Sequence, residues 1–171
     1  MKHFGLGVLV AAVFSAGVAY TAQKSDDQML REVRDRAEIE ELMWRYTRAL
    51  DSTDADAYAG VYTADGQFSA GTTATKGRDA LKKMIADMRT GQVAQEAKGV
   101  RRAPMYHMTA NHAITFVGRD SARVDAYYLT AFGAAGQETP LRVAAVGRSV
   151  DELVRQNGRW LIKSRNVAPA N

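Results

Sequence analysis

The C-terminal half of the chain constrains the fold most, because it consists of strand-like segments joined by tight turns. The segments are residues 105–117, 121–132, 141–155 and 159–167. Gly118-Arg119-Asp120 is the first predicted turn, and Asn157-Gly158 is a typical hairpin dipeptide. Since short connections join antiparallel neighbours, we predict an antiparallel sheet here.

Helical segments come before these strands. The predicted helices are residues 25–50, 55–62 and 77–90, with one short strand at 66–70 between the second and the third. Ser25 and Asp54 stand where helix N-caps are expected. Three helices followed by long antiparallel strands predict an α+β fold, in which a cone-shaped curved sheet and the three N-terminal helices enclose an apolar pocket.

The N-terminus has the pattern of an export signal. Lys2 precedes an apolar run over residues 4–18, which is shorter than the roughly 20 residues of a membrane span. We predict a signal peptide at 1–19, possibly extending to 22, followed by one domain at 25–168. The mature protein would be periplasmic or secreted with no membrane span, and an uncleaved N-terminal anchor is the alternative.

Composition excludes several kinds of site. The chain has no cysteine, which excludes disulfides, thiolate catalysis and cysteine zinc sites. Its net charge is +4, but the densest basic stretch, 98–102, has no aromatic neighbour, so we expect no nucleic-acid partner. His107 and His112 are five apart on a strand and should point to opposite faces. We therefore expect neither a metal nor a cofactor.

Four stretches of the chain together resemble one known family. They are residues 45–68, 77–85, 107–114 and 150–167. In this order they are similar to the nuclear transport factor 2-like superfamily, in its SnoaL-like and scytalone-dehydratase-like branch. The resemblance implies the cone fold and a small hydrophobic ligand. It also implies a homo-oligomer, dimer or trimer, formed through the outer face of the sheet.

The resemblance also implies a set of catalytic residues. Dehydratase-like members carry a Tyr near the end of the first helix, an Asp just beyond it and a His on the first long strand, and Tyr46, Asp51 and His107 match these positions. An Asp–His pair can work as an acid/base, while a phenol can polarise a carbonyl. This implies a cofactor-independent lyase or dehydratase acting on a hydrophobic, aromatic or polycyclic, hydroxy or keto compound.

Other functions remain open on the sequence. The same residues would serve a ketosteroid-isomerase-like isomerase, or a carbon–carbon lyase such as one that deformylates a lignin-type diaryl diol. A non-catalytic carrier of small ligands in the periplasm is the remaining alternative, because the fold does not fix the function.

Two geometric conditions apply to the predicted site. For Asp51 to share a site with Tyr46, the first helix must stop near Leu50. Simple alternation puts His107 on the face opposite Ile114, so His107 reaches the pocket only through a polar inner face or a β-bulge. The predicted substrate-binding residues are Asn111, Tyr62, Phe68 and Trp44.

Overall fold

The computed structural model of the protein describes residues 25–134 and 140–169, so the predicted signal peptide lies outside the described residues. The elements are α1 (Asp26–Ser52), α2 (Ala55–Gly60), β1 (Tyr62–Ala70), β2 (Thr73–Lys76), α3 (Arg78–Glu96), β3 (Met105–Gly118), β4 (Ser121–Phe132), β5 (Arg142–Gln156) and β6 (Arg159–Asn166). None of the helices in these two ranges is both long and apolar enough to cross a membrane.

The strands form one curved six-stranded sheet in the order β2-β1-β6-β5-β4-β3. All neighbours are antiparallel except β1 and β6, which are parallel. The helices lie over one face, and the predicted α+β fold is confirmed. Asp65-Gly66 lies within β1, where the register with β6 shifts between Tyr62 and Gln67.

Helix α1 supplies much of the core through one face. Ile39, Leu42 and Tyr46 on this face are almost fully buried, as expected for apolar positions that recur at helical spacing. Both predicted N-caps are confirmed, since the side chains of Ser25 and Asp54 accept hydrogen bonds from backbone amides in their helices.

Helix α1 ends later than predicted. It runs through Ser52, and Thr53 then adopts a left-handed conformation with φ 53°, donating its amide to the carbonyl oxygens of Ala49 and Leu50. A left-handed residue after the last turn is a common way to end a helix. The predicted stop near Leu50 is therefore wrong, and Asp51 belongs to the helix.

Strand β3 contains the bulge that the site requires. Asn111 has φ 55°, and the register with β4 shifts between Ala110 and Ala113. The bulge inserts a residue, so His107 before it and Ile114 after it share the inner face of the sheet. His112 also moves to this face, and the prediction that His107 and His112 oppose each other is wrong because strict alternation ignores a bulge.

Candidate active site

Asp51 and His107 form a hydrogen-bonded pair between α1 and β3. The Oδ1 atom of Asp51 lies 2.7 Å from Nδ1 of His107 and accepts a hydrogen bond of 3.0 Å from the His107 backbone amide. The side chains are 13% and 19% exposed, respectively, so the pair is sheltered yet open to a ligand. The Asp51 carboxylate thus holds both the backbone amide and the imidazole ring of His107.

The geometry of this pair assigns roles to the ring nitrogens. An ionised carboxylate facing Nδ1 favours the tautomer that carries the proton there. In this tautomer Nε2 has a free lone pair, and no group in residues 25–134 and 140–169 forms a hydrogen bond with it. The arrangement can therefore remove a proton from a bound molecule and return it.

Tyr46 lies apart from this pair, in the interior of the cone. With α1 continuous, Tyr46 and Asp51 point about 140° apart around the helix axis. Tyr46 is 3% exposed and packs against Tyr58 and Tyr62, with ring centroids 5.4 Å and 6.3 Å away. The structure joins Asp51 to His107 but places Tyr46 in a separate aromatic cluster.

A buried ion pair completes this interior cluster. Arg165 on β6 donates from Nη1 to Oδ2 of Asp151 on β5 over 2.6 Å, and both side chains are almost fully buried. The Arg165 guanidinium also lies 4.4 Å from the ring centroid of Tyr46, a favourable cation–π distance. The hydroxyls of Tyr58 and Tyr62 are 3.1 Å apart.

Burial controls the ionisation of this cluster. It raises the pKa of Asp151 to about 6, against the opposing effect of the Arg165 charge. It likewise raises the pKa values of Tyr46, Tyr58 and Tyr62, which stay protonated as possible hydrogen-bond donors. Burial alone would lower the pKa of Arg165, but the neighbouring Tyr46 and Asp151 outweigh it and the pKa is raised.

Sequence reasoning missed several inward-facing polar groups. Buried atoms without a hydrogen-bond partner among the described residues include His112 Nε2, Ser149 Oγ, Asp151 Oδ1 and Arg165 Nε. On the sheet, Ser149 stands opposite Ala126, and Asp151 stands opposite Arg165. Ser149, Asp151 and Leu153 alternate onto one face of their strand, but two polar residues among the three do not indicate that this face is buried.

The four predicted substrate-binding residues occupy different places. Tyr62 is fully buried in the tyrosine cluster, and Phe68 is half-buried against the core. Trp44 is 61% exposed and lies near Arg48 on the outer side of α1, and its role in substrate binding stays a prediction. Asn111 is exposed and forms the bulge, and its contact with substrate stays a prediction.

A metal site needs several ligating side chains that converge on one point. Within the two ranges that the structure covers, no three His, Asp or Glu side chains converge as a metal site would require.

The fold and the Asp51–His107 pair place the chain in a recognisable class, the nuclear transport factor 2-like proteins with a cystatin-like fold. Residues 31–166 match the SnoaL-like domain, and the chain belongs to this family. A comparison with curated protein sequences gives no significant match.

Solved structures support the same assignment of the fold. A nuclear transport factor 2-like protein with a cystatin-like fold from Novosphingobium aromaticivorans is 27% identical, covering 81% of this chain and 83% of its own, with a TM-score of 0.65. A proposed scytalone dehydratase from the same organism is 24% identical over 84% and 89%, also with a TM-score of 0.65. A Mycobacterium tuberculosis protein of unknown function is 22% identical over 84% and 76%, with a TM-score of 0.67.

Proposed function

We propose that the protein is a cofactor-independent acid–base enzyme of the dehydratase or lyase type, acting on a hydrophobic hydroxy or keto compound. The observation that carries this proposal is the hydrogen-bonded Asp51–His107 pair, sheltered between a helix and the sheet. Membership of the SnoaL-like family supports it, because such domains bind small hydrophobic molecules and include dehydratases and cyclases.

The proposed reaction begins with His107 as the base. Its Nε2 takes a proton from the carbon next to a carbonyl or phenol, and Asp51 stabilises the imidazolium through Nδ1–H. The electron pair of the broken C–H bond forms a double bond, and the C–O bond to the β-hydroxyl breaks. The hydroxyl leaves as water with the proton that His107 returns, so the step needs no oxidant.

Tyr46 is not part of this proposed step, because α1 continues past Leu50 and turns the phenol about 140° away from Asp51, into the tyrosine cluster. The proposed reaction therefore rests on Asp51 and His107.

Substitution of the pair tests the proposal. A panel of aromatic β-hydroxy ketones is incubated with the protein, and enone formation is followed by absorbance. Asp51→Asn and His107→Ala should each lower turnover by about 10²- to 10⁴-fold while the circular dichroism spectrum is unchanged. Asp56→Asn is the matched control, because Asp56 is exposed and pairs with Lys82.

A carrier gives a different result in the same experiment. If the protein only binds the panel compounds, no enone accumulates, and Asp51→Asn and His107→Ala keep the ligand affinity of the wild type. That outcome would replace the enzyme by a binding protein.

A further inference from the structure

A groove lies between α3 and the sheet. It has a volume of about 570 Å³ and is lined by α3, by the segment before β3, and by the facing ends of β4 and β5. This volume is within the usual range for a small-molecule site. The groove thus has the size to hold part of a substrate.

The strand register places this groove next to the reactive pair. Phe132, in the groove wall, stands opposite Met105, which is two residues before His107 on the same strand. Arg102, in the opposite part of the wall, donates to the hydroxyl of Thr53 over 3.4 Å, two residues after Asp51. Through these contacts the groove wall meets the chain two residues from each partner of the pair.

The wall of the groove combines apolar and cationic side chains. Met88, Val100 and Phe132 supply apolar surface. The cations are Arg101, Arg102 and Arg142, and Glu96 is the one carboxylate among the lining residues that the structure describes. Three guanidinium groups against a single carboxylate give this site a net positive charge.

The three arginines of the groove have no ion-pair partner among the residues that the structure describes. Ion pairs within the described ranges use other residues, and none involves Arg101, Arg102 or Arg142. The guanidinium carbon of Arg142 lies over the ring of Phe132, 4.4 Å from its centroid. This contact holds the guanidinium against the groove wall, where its N–H groups can donate to a carboxylate.

We propose that this groove binds a carboxylate carried by the apolar substrate, with Arg102 and Arg142 as the principal donors. The inference rests on the proposed function in one respect, because it takes the groove as the place for the part of the substrate that does not react. It narrows the substrate class to aromatic or polycyclic compounds that are also acids.

Binding of two isosteric probes tests this inference directly. 2-Naphthoate carries the carboxylate, while 2-naphthamide has the same ring and a neutral amide. By calorimetry at low ionic strength, the wild type should bind 2-naphthoate at least about tenfold more tightly than 2-naphthamide. This preference should shrink as salt is added, since the arginines are exposed to solvent.

The double variant Arg102→Gln/Arg142→Gln should lose the preference while it retains the circular dichroism spectrum. The matched control is Arg34→Gln/Arg119→Gln, which removes the same charge from exposed positions elsewhere and should keep the preference. Equal affinity of the wild type for the two probes, an absence of measurable 2-naphthoate binding, or a preference that survives in Arg102→Gln/Arg142→Gln would overturn the inference.

Failure of the groove and failure of the chemistry are separable. Asp51→Asn should still prefer 2-naphthoate, because the groove does not depend on proton transfer. A protein that discriminates between the probes but turns over no compound would refute the reaction and keep the groove. A protein that turns over substrates without discriminating between the probes would refute the groove and keep the reaction.

Discussion

At the scale of single residues, the ionisation of the Asp151 carboxyl is linked to folding. Burial raises its pKa from an ordinary value of 3.8 to about 6. Because the folded-state pKa is higher, the folded protein binds an extra proton between about pH 4 and pH 6. This stabilisation is complete below about pH 4 and is lost as the pH rises through 6.

We therefore expect a specific difference between the wild type and Asp151→Asn. As the pH rises from 4 to 7, the free energy of unfolding of the wild type should fall by about 2 to 3 kcal/mol relative to that of the variant. Urea unfolding at a series of pH values measures this difference.

Asp125→Asn is the control for this measurement, with the opposite sign. Its hydrogen bond from Arg123 lowers the pKa of the Asp125 carboxyl, so the stability it contributes is lost as the pH falls through that lowered value. A constant difference between wild type and Asp151→Asn from pH 4 to 7 would contradict the prediction. Should Asp151→Asn fail to fold, a carbon-13 titration of the Asp151 carboxyl in the wild type should have its midpoint near 6.

The residues of the candidate site differ in how far the sequence could predict them. Asp51 and His107 were identified because both lie in stretches that resemble a family, and their contact is confirmed. Asp151 and Arg165 lie on the same β-hairpin, but they become partners only through its register. That register contains a shift between Glu152 and Leu153, which no local pattern indicates.

At the scale of the elements, Asn111 forms the bulge that determines which side chains of β3 face the interior before and after it. Its φ of 55° is in the left-handed region, where Asn is tolerated and β-branched residues are strained. Asn111 is exposed, so a substitution there changes backbone energy with little loss of packing. Substitutions of Asn111 therefore test the effect of backbone strain on stability without a change in side-chain packing.

Substitutions at this position should reveal the strain. Asn111→Gly should change the free energy of unfolding by no more than about 0.5 kcal/mol, while Asn111→Val should lower it by about 1 to 2 kcal/mol. Thermal and urea denaturation measure both. Thr115→Val, at an exposed position of the same strand with ordinary backbone geometry, should have little effect. Wild-type stability in Asn111→Val would show that the bulge does not need a left-handed residue.

The end of α1 shows why element boundaries could not be predicted closely. The pairing hypothesis required the helix to stop near Leu50 so that Asp51 could turn toward Tyr46. Instead the helix continues, and its last turn carries Asp51 toward His107 while Tyr46 faces the interior. Thr53 ends the helix in the left-handed region, which its residue type alone does not predict.

At the scale of the whole molecule, the order of helices and strands was enough to predict the fold class. Hairpin pairing of β3 with β4 and of β5 with β6 follows from the short turns between them. The parallel pairing of β1 with β6 joins distant parts of the chain. Such long-range contacts depend on the assembled core, so no local sequence pattern predicts them.

The outer face of the sheet carries an apolar patch formed by Tyr106, Met108, Tyr127 and Val146. These side chains are between 50% and 71% exposed. Met108 and Val146 both stand opposite Leu129 in their strand pairs, so β3, β4 and β5 all contribute to one surface. A contiguous exposed apolar surface on a sheet is typical of a protein–protein interface.

We expect this patch to join copies of the chain into a dimer or trimer. Light scattering after size-exclusion chromatography should give twice or three times the monomer mass at micromolar concentrations. Tyr127→Lys/Val146→Lys should raise the dissociation constant at least about 100-fold, because each charge would have to be buried in the interface. Val33→Lys/Leu30→Lys, at exposed positions on α1, should leave the mass unchanged. The fold of the monomer does not depend on these exposed side chains, so the variant should fold. A monomeric wild type would refute this interface. A Tyr127→Lys/Val146→Lys variant with the mass and dissociation constant of the wild type would also refute it.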